Sequence, residues 1–273
     1  MSDRIQIESG TQLLARLIRR PNLRSLEGAL FPEGPGNTDV IEINGIRSTG
    51  KTLLLSQLLA KCILPDYDGA VHIKGCDASA VLINTDHHFQ ITNLVEIMTD
   101  IINTAYAPLV TLNSIDTNTR NINILRNSLQ NLHIINCYHS EQFRVTLRTL
   151  DNIFLSNAQT ALLAIDSLTA YYWQDRENNF TSIDAYIKKL LKIIRLHTNL
   201  CKVTTIYTKS WESIIKCKNN KSTIKYSTNT VEYRIHLRKT KCLYNHICIL
   251  ETEETIKKMC YRMSANGVKW ETD

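Results

Sequence analysis

Gly45-Ile46-Arg47-Ser48-Thr49-Gly50-Lys51-Thr52 is the stretch on which the reading of the fold turns. It is a complete G-x-x-x-x-G-K-T, a pattern that average composition produces by chance in roughly one in a hundred chains of this length. Its flanks give it weight. Asp39-Val40-Ile41-Glu42-Ile43-Asn44 alternates as a strand does, and Leu53-Leu54-Leu55-Ser56-Gln57-Leu58-Leu59-Ala60 reads as a mostly buried helix. A glycine-rich turn between a strand and a helix wraps its backbone around phosphate, so that several N–H groups and the helix N-terminus face the anion. There Lys51 reaches the outer phosphates and the Thr52 hydroxyl ligates Mg²⁺. Gly45, Ile46, Arg47, Ser48, Thr49, Gly50, Lys51 and Thr52 are therefore read together as a site for ATP and Mg. The plainer alternative is a glycine turn with a surface lysine.

Outward from the loop the strand–helix pattern repeats. Strands are expected over 81–86, 132–137, 161–166 and 203–207, and helices over 90–104, 141–156 and 181–198. The strands are apolar on both faces, which argues a mainly parallel sheet covered by helices, an α/β fold. Before it, residues 10–20 read as an amphipathic helix opened by Ser9 or Thr11 and stopped by Pro21, followed by a Pro/Gly-rich loop, so that 1–38 is a lead-in and 39–273 the core. Residues 210–230 break the rhythm as a long loop with Lys216, Lys218, Lys221 and Lys225 among Asn, Ser and Thr. Three strands without intervening helices (about 231–238, 243–250 and 257–263) suggest a C-terminal antiparallel meander.

Composition narrows the class. The chain has 273 residues, 43% apolar and 21% charged, with a formal charge of +6, enough to bury a sizeable core. It shows no apolar run near the roughly 20 residues of a membrane span and no leader-like N-terminus, which points to a soluble intracellular protein. In that setting its 8 cysteines read as reduced core thiols. The charge is uneven: residues 201–273 hold 14 Lys and Arg against 7 Asp and Glu. That is either an electrostatic footprint for a polyanion or a set of basic loops and strand edges that resist aggregation.

A triphosphate site needs a carboxylate on the metal side. Asp166 ends the apolar strand Ala161–Asp166, at the carboxyl edge where α/β sheets bind ligands, and with Thr52 it completes a Mg site. Read alone, Asp166-Ser167-Leu168-Thr169 is also a cap or turn. Asp86, at the end of its own strand, is placed either to polarise water or to close a turn. No Cys-x-x-Cys or His-x-x-x-His pattern occurs, so no structural zinc is expected.

Gly45–Thr52, then Asn84-Thr85-Asp86, then Leu163-Ala164-Ile165-Asp166-Ser167-Leu168-Thr169-Ala170-Tyr171-Tyr172-Trp173, resembles the RecA-type recombinase core in order and kind. Glu8-Ser9-Gly10-Thr11-x-Leu13-Leu14-Ala15-Arg16-Leu17, Cys62-Ile63-Leu64-Pro65, Thr85-Asp86-x-His88-Phe89 and Asp166-Ser167-Leu168-Thr169-Ala170-x-Tyr172-Trp173-x-Asp175-Arg176 are similar, more narrowly, to a short paralogue of that family. The likeness runs from residue 8 to about 210 and fades beyond it.

The resemblance implies a RecA-like P-loop core and a nuclear homologous-recombination factor. Such a protein is an accessory subunit that works with sister recombinase paralogues in the repair of double-strand breaks and stalled forks, supporting filament assembly on single-stranded or branched DNA. The lack of a DNA-binding module before residue 39 implies an end-of-row subunit. Two DNA-facing loops fall at about 173–181 and 210–230, so that Arg176, Lys216, Lys218, Lys221 and Lys225 contact phosphate, with Trp173 and Trp211 available for stacking. Trp173 reads equally as a core aromatic.

Two positions depart from the family pattern: Asp86 stands for a catalytic Glu, and Lys209 for a sensing Gln. The shorter carboxylate falls about 1–1.5 Å short, and a misplacement of that size costs on the order of 100-fold in rate, so ATP binding with poor hydrolysis is expected. The competing readings are a P-loop kinase or other NTPase, and a scaffold that does not use nucleotide.

Overall fold

The computed structural model describes residues 8–109, 114–176, 182–210, 231–240 and 246–271. In chain order its elements are α1 (Gly10–Leu17), β1 (Val40–Gly45), α2 (Lys51–Ile63), β2 (Tyr67–Asp68), β3 (Val71–His72), β4 (Ser79–Asn84), α3 (Ile91–Tyr106), α4 (Ser114–Leu129), β5 (Leu132–Asn136), α5 (Ser140–Arg148), α6 (Leu150–Ser156), β6 (Thr160–Asp166), α7 (Tyr172–Asp175), α8 (Ile183–Cys201), β7 (Thr204–Ser210), β8 (Tyr233–Lys239), β9 (His246–Glu251), β10 (Ile256–Ser264) and β11 (Gly267–Glu271). Apart from the small β2–β3 hairpin, the described strands form one nine-stranded sheet in the order β11-β10-β9-β8-β1-β7-β6-β4-β5. From β8 to β5 every pairing is parallel. The pairs β8–β9, β9–β10 and β10–β11 are antiparallel. The fold is α/β, mainly parallel, with a C-terminal antiparallel meander.

The central strands β4 and β6 lack polar alternation because both faces of the sheet are covered there. Ala80, Leu82, Leu162 and Ala164 enter one core with Leu54, Leu55 and Leu58 of α2 and Ile97 and Met98 of α3. Val81, Ile83, Leu163 and Ile165 enter the other with Phe143 and Leu147 of α5, Phe154 of α6 and Leu190, Leu191 and Ile194 of α8. Each fully buried side chain of this kind contributes about 1.5–3 kcal/mol, so the two layers are the main force holding the sheet. The lead-in takes part as well: Leu23, Leu26, Leu30 and Phe31 are buried in the α2–α3 core.

Several boundaries differ from the expectation, each for a local reason. Helix α1 opens as expected, with a capping box between Ser9 and Gln12, but ends at Leu17 rather than running to Pro21. The chain turns extended at Ile18, and Arg20 then donates to the carbonyls of Cys201, Asn157 and Phe154 at 3.0, 2.5 and 2.6 Å, closing the C-terminal ends of α8 and α6. The single helix expected over 141–156 is two, α5 and α6. Thr149 between them (φ −107°, ψ 11°) turns its hydroxyl back onto the carbonyls of Val145 and Thr146, both at 3.2 Å.

After residue 230 there are four described strands instead of three. The first, β8, is a parallel neighbour of β1, with Gly45 opposite Leu237. The fourth, β11, follows β10 through a turn at Ala265-Asn266, with Ser264 opposite Gly267 at φ +108°.

Candidate nucleotide site

The carboxyl ends of β1, β4 and β6 converge on one crevice, the usual ligand position of an open α/β sheet. Gly45 closes β1 and Lys51 opens α2. Between them the loop is shaped by close contact. A Cβ on Gly45 would stand 2.5 Å from the Thr49 hydroxyl and 2.7 Å from the Leu237 carbonyl; one on Gly50 would stand 2.6 Å from the Met263 sulfur. Gly50 also has φ +83°, in the left-handed region that side chains avoid. Thr49 Oγ1 donates to the Ile46 carbonyl at 2.8 Å. Lys51 Nζ folds over the loop and donates to the carbonyls of Gly45 and Ile46, each at 3.0 Å.

Asp166 forms the opposite wall, only 2% exposed. Its Oδ2 accepts from Thr52 Oγ1 at 2.9 Å and its Oδ1 from Thr208 Oγ1 at 2.5 Å. Its backbone carbonyl accepts from the N–H groups of Thr85 and Asp86 at 2.8 and 3.0 Å. The Thr85 hydroxyl donates to the Ser167 carbonyl at 2.7 Å. Asp86 is thereby held beside Asp166. Asp86 is exposed at the crevice rim; partial desolvation there, and then the Asp166 charge, push its carboxyl above the ordinary range, against the opposing pull of His88, Lys51 and His87.

The crevice encloses a cavity of about 600 Å³ lined by Arg47, Ser48, Gly50, Lys51 and Thr52 on the loop side, with Asp86, His88, Asp166 and Ser167 facing them. That volume lies within the roughly 300–1,000 Å³ of small-molecule sites. A hydroxyl and a carboxylate already in contact are hard oxygen donors of the kind Mg²⁺ takes. A helix N-terminus with a lysine beside it is what a phosphate chain needs. The residues fit a magnesium nucleotide.

The structure brings together the whole loop, Asp166 and Asp86. It places Lys209 elsewhere. The Lys209 ammonium lies 2.8 Å from Glu42 Oε1, with the two side chains 8% and 5% exposed, and Lys209 does not line the crevice. The cause is the β1–β7 pairing, which sets Lys209 opposite Asn44 and Tyr207 opposite Glu42. Glu42 also accepts from Asn44 Nδ2 at 2.9 Å and from the Tyr207 hydroxyl at 2.6 Å. Burial pushes its carboxyl up, but Lys209 and these donors prevail and hold it below the ordinary value. His236 extends the network to the meander, contacting Asn44 Oδ1 at 3.0 Å and Glu251 Oε2 at 3.2 Å.

Trp173 is not a core residue. It is 48% exposed, with the Arg176 guanidinium 5.3 Å above its ring. Asp175 anchors this turn, buried against Ser140 and Arg144 at 2.6 Å each. Trp211, Lys216, Lys218, Lys221 and Lys225 lie outside the described residues.

The sequence does not single out His88, Ser167, Thr208 and Glu42. The first two lie within two positions of the chosen acids and were available as their neighbours. The other two act through partners more than forty positions away, for which no local signal exists.

No family model matches the chain. It is 32% identical over 197 residues to the DNA repair protein XRCC2 of Mus musculus, a match covering 71% of this chain and 64% of that protein. It is 24% identical over 206 residues to the DNA repair protein XRCC2 homolog of Arabidopsis thaliana, covering 68% of this chain and 55% of that protein. The matches thus span less than two thirds of the length of either relative.

Proposed function

This chain is a relative of the XRCC2 DNA repair proteins with a RecA-like α/β core, and from that premise we propose that it is an ATP-binding accessory subunit in homologous-recombination repair. The Thr52–Asp166 contact across the crevice carries the nucleotide part of the reading: it joins the motif threonine to the strand-end acid at the foot of the phosphate loop. Lys51 and the loop amides hold the phosphates, while Thr52 and Asp166 hold the metal. Magnesium supplies charge neutralisation between the phosphates when bound. Asp86 is the acid beside the crevice that could orient water, and Lys209, engaged by Glu42, is withheld from the phosphates. Both support binding with slow turnover, so that nucleotide stabilises the folded subunit and its contacts by mass action.

The relatives' repair role, the exposed Trp173–Arg176 pair and the lysines of 210–230 support a path for single-stranded or branched DNA beside sister recombinase paralogues, in the nucleus. No described helix is long and apolar enough to cross a membrane. Two measurements test the reading. Lys51→Ala should abolish Mg-ATP binding with only a modest change in thermal unfolding, because the fold loses two hydrogen bonds to the Gly45 and Ile46 carbonyls rather than buried packing; a wild type that fails to bind Mg-ATP at millimolar concentration refutes the nucleotide assignment. Replacing Lys216, Lys218, Lys221 and Lys225 by Ala should flatten the salt dependence of single-stranded DNA binding, by about 0.7 in log–log slope for each phosphate no longer neutralised. An unchanged slope moves the DNA path off this loop.

A further inference from the structure

The phosphate loop is backed by the far end of the chain. Tyr261 of β10, 0% exposed, donates its hydroxyl to the Thr49 carbonyl at 2.8 Å. Its ring is fixed by Trp270 and His246, with centroids 5.9 and 5.2 Å away. Two residues on, Met263 occupies the space beside Gly50, and Leu237 of β8 crowds Gly45. The helix behind the loop is tied in the same direction: the Val268 N–H of β11 donates to Gln57 Oε1 at 2.7 Å, and Gln57 Nε2 donates to Glu27 Oε2 at 2.9 Å. Three meander strands thus grip the loop and α2 from behind.

The tyrosine contact has a directional effect. The Thr49 carbonyl and the Gly50 N–H belong to one planar trans peptide and point in opposite directions. Holding the carbonyl at Tyr261 turns the Gly50 N–H away from the meander, and Gly50 lines the crevice. Without that anchor the peptide is held less firmly, because Gly50 on its far side imposes no side-chain barrier. We propose that Tyr261 is a positioning residue for the nucleotide site, presetting an amide of the phosphate loop for an anionic phosphate group, and that the C-terminal meander and the occupied loop order together. This rests on the nucleotide reading above.

The full chain is tested with Mg-ATP. Tyr261→Phe keeps the ring and removes one hydroxyl. One hydrogen bond of this kind corresponds to a rise of about threefold to tenfold in the ATP dissociation constant. Tyr186→Phe, which removes a hydroxyl bonded to Asp175 in the opposite core layer from Tyr261, should lower the unfolding temperature without moving that constant, and so separates positioning from general destabilisation. In the wild type, Mg-ATP should slow hydrogen exchange at the amides of β10 and β11, a readout that needs no variant to fold. A wild type that binds no ATP overturns the nucleotide reading and this inference with it. ATP binding with an unaltered constant in Tyr261→Phe, or with no added protection in β10 and β11, overturns this inference alone.

Discussion

Two buried carboxylates, Asp166 and Glu42, are 2% and 3% exposed, yet they are spent in opposite ways. Glu42 lies inside β1 and meets a lysine ammonium, a phenol and an amide. Asp166 ends β6 and meets two threonine hydroxyls, neutral donors that satisfy one lone pair on each oxygen and leave acceptor capacity facing a cavity. A buried charge is tolerated only when something answers it. At Glu42 the protein answers in full, and the acid is structural. At Asp166 the answer is partial, with two neutral hydroxyls and an open crevice, which is the ground for proposing a cation there.

The largest effect should come from breaking the complete pair. Glu42→Gln strands the Lys209 ammonium inside the sheet and should cost about 3–5 kcal/mol in urea unfolding. Adding Lys209→Met should recover much of that loss. Because the Glu42 carboxyl is held below its ordinary value, its contribution is present above the unfolded-state value near pH 4.5 and is lost as pH falls through the folded one. A wild-type acid-unfolding profile that coincides with that of the double variant removes Glu42 from the account. At the other acid, Asp166→Asn gives up charge but keeps an acceptor. It should cost only about 1–2 kcal/mol of stability, while Mg-dependent ATP affinity drops by more than about tenfold. A large stability loss with intact metal dependence would make Asp166 a second Glu42.

The smallest effect is expected at Asp86, whose carboxyl is raised by partial desolvation and by Asp166 but whose exposure to solvent screens that effect. A raised carboxylate opposes folding once it is ionised, so Asp86→Asn should be slightly more stable than wild type at pH 7, with the gain vanishing as pH falls below about 4, the ordinary value of Asp in an unfolded chain. Asp86→Glu restores the missing methylene and should raise ATP turnover in the assembled complex if reach is what limits it. Turnover that is brisk in wild type and untouched by Asp86→Asn leaves Asp86 as a turn residue.

The contrast between the acids also marks what a sequence can disclose. The strands over 161–166 and 81–86 were legible because an unbroken apolar run needs no partner to be recognised, and the latter is found two residues earlier, at Ser79–Asn84. The strand–turn–helix over 40–63 was legible because its loop lies within eight consecutive residues. That Asp166 faces the same crevice could be anticipated because a strand end is a local feature. Glu42 could not: its role depends on Lys209 and Tyr207 arriving from β7, and alternation alone cannot say which strand lies beside β1. The same gap hid the parallel pairing of β8 and the reach of Tyr261 to Thr49, a separation of 212 positions. The break at Thr149 was missed because a threonine hydroxyl turning onto its own helix leaves the apolar periodicity intact.

The placement of β1 has a consequence in time. It leaves the ribosome well before its neighbours in the sheet, β7 and β8, which span Thr204–Ser210 and Tyr233–Lys239. At about 5–20 residues per second, the first strand waits on the order of ten seconds or more with both edges open. During that interval Val40, Ile41 and Ile43, all fully buried in the finished sheet, have nothing in the sheet to pair with. The nascent chain therefore carries an adhesive strand until β7 and β8 have been made, and the yield of folded protein rests on what shields it in that interval.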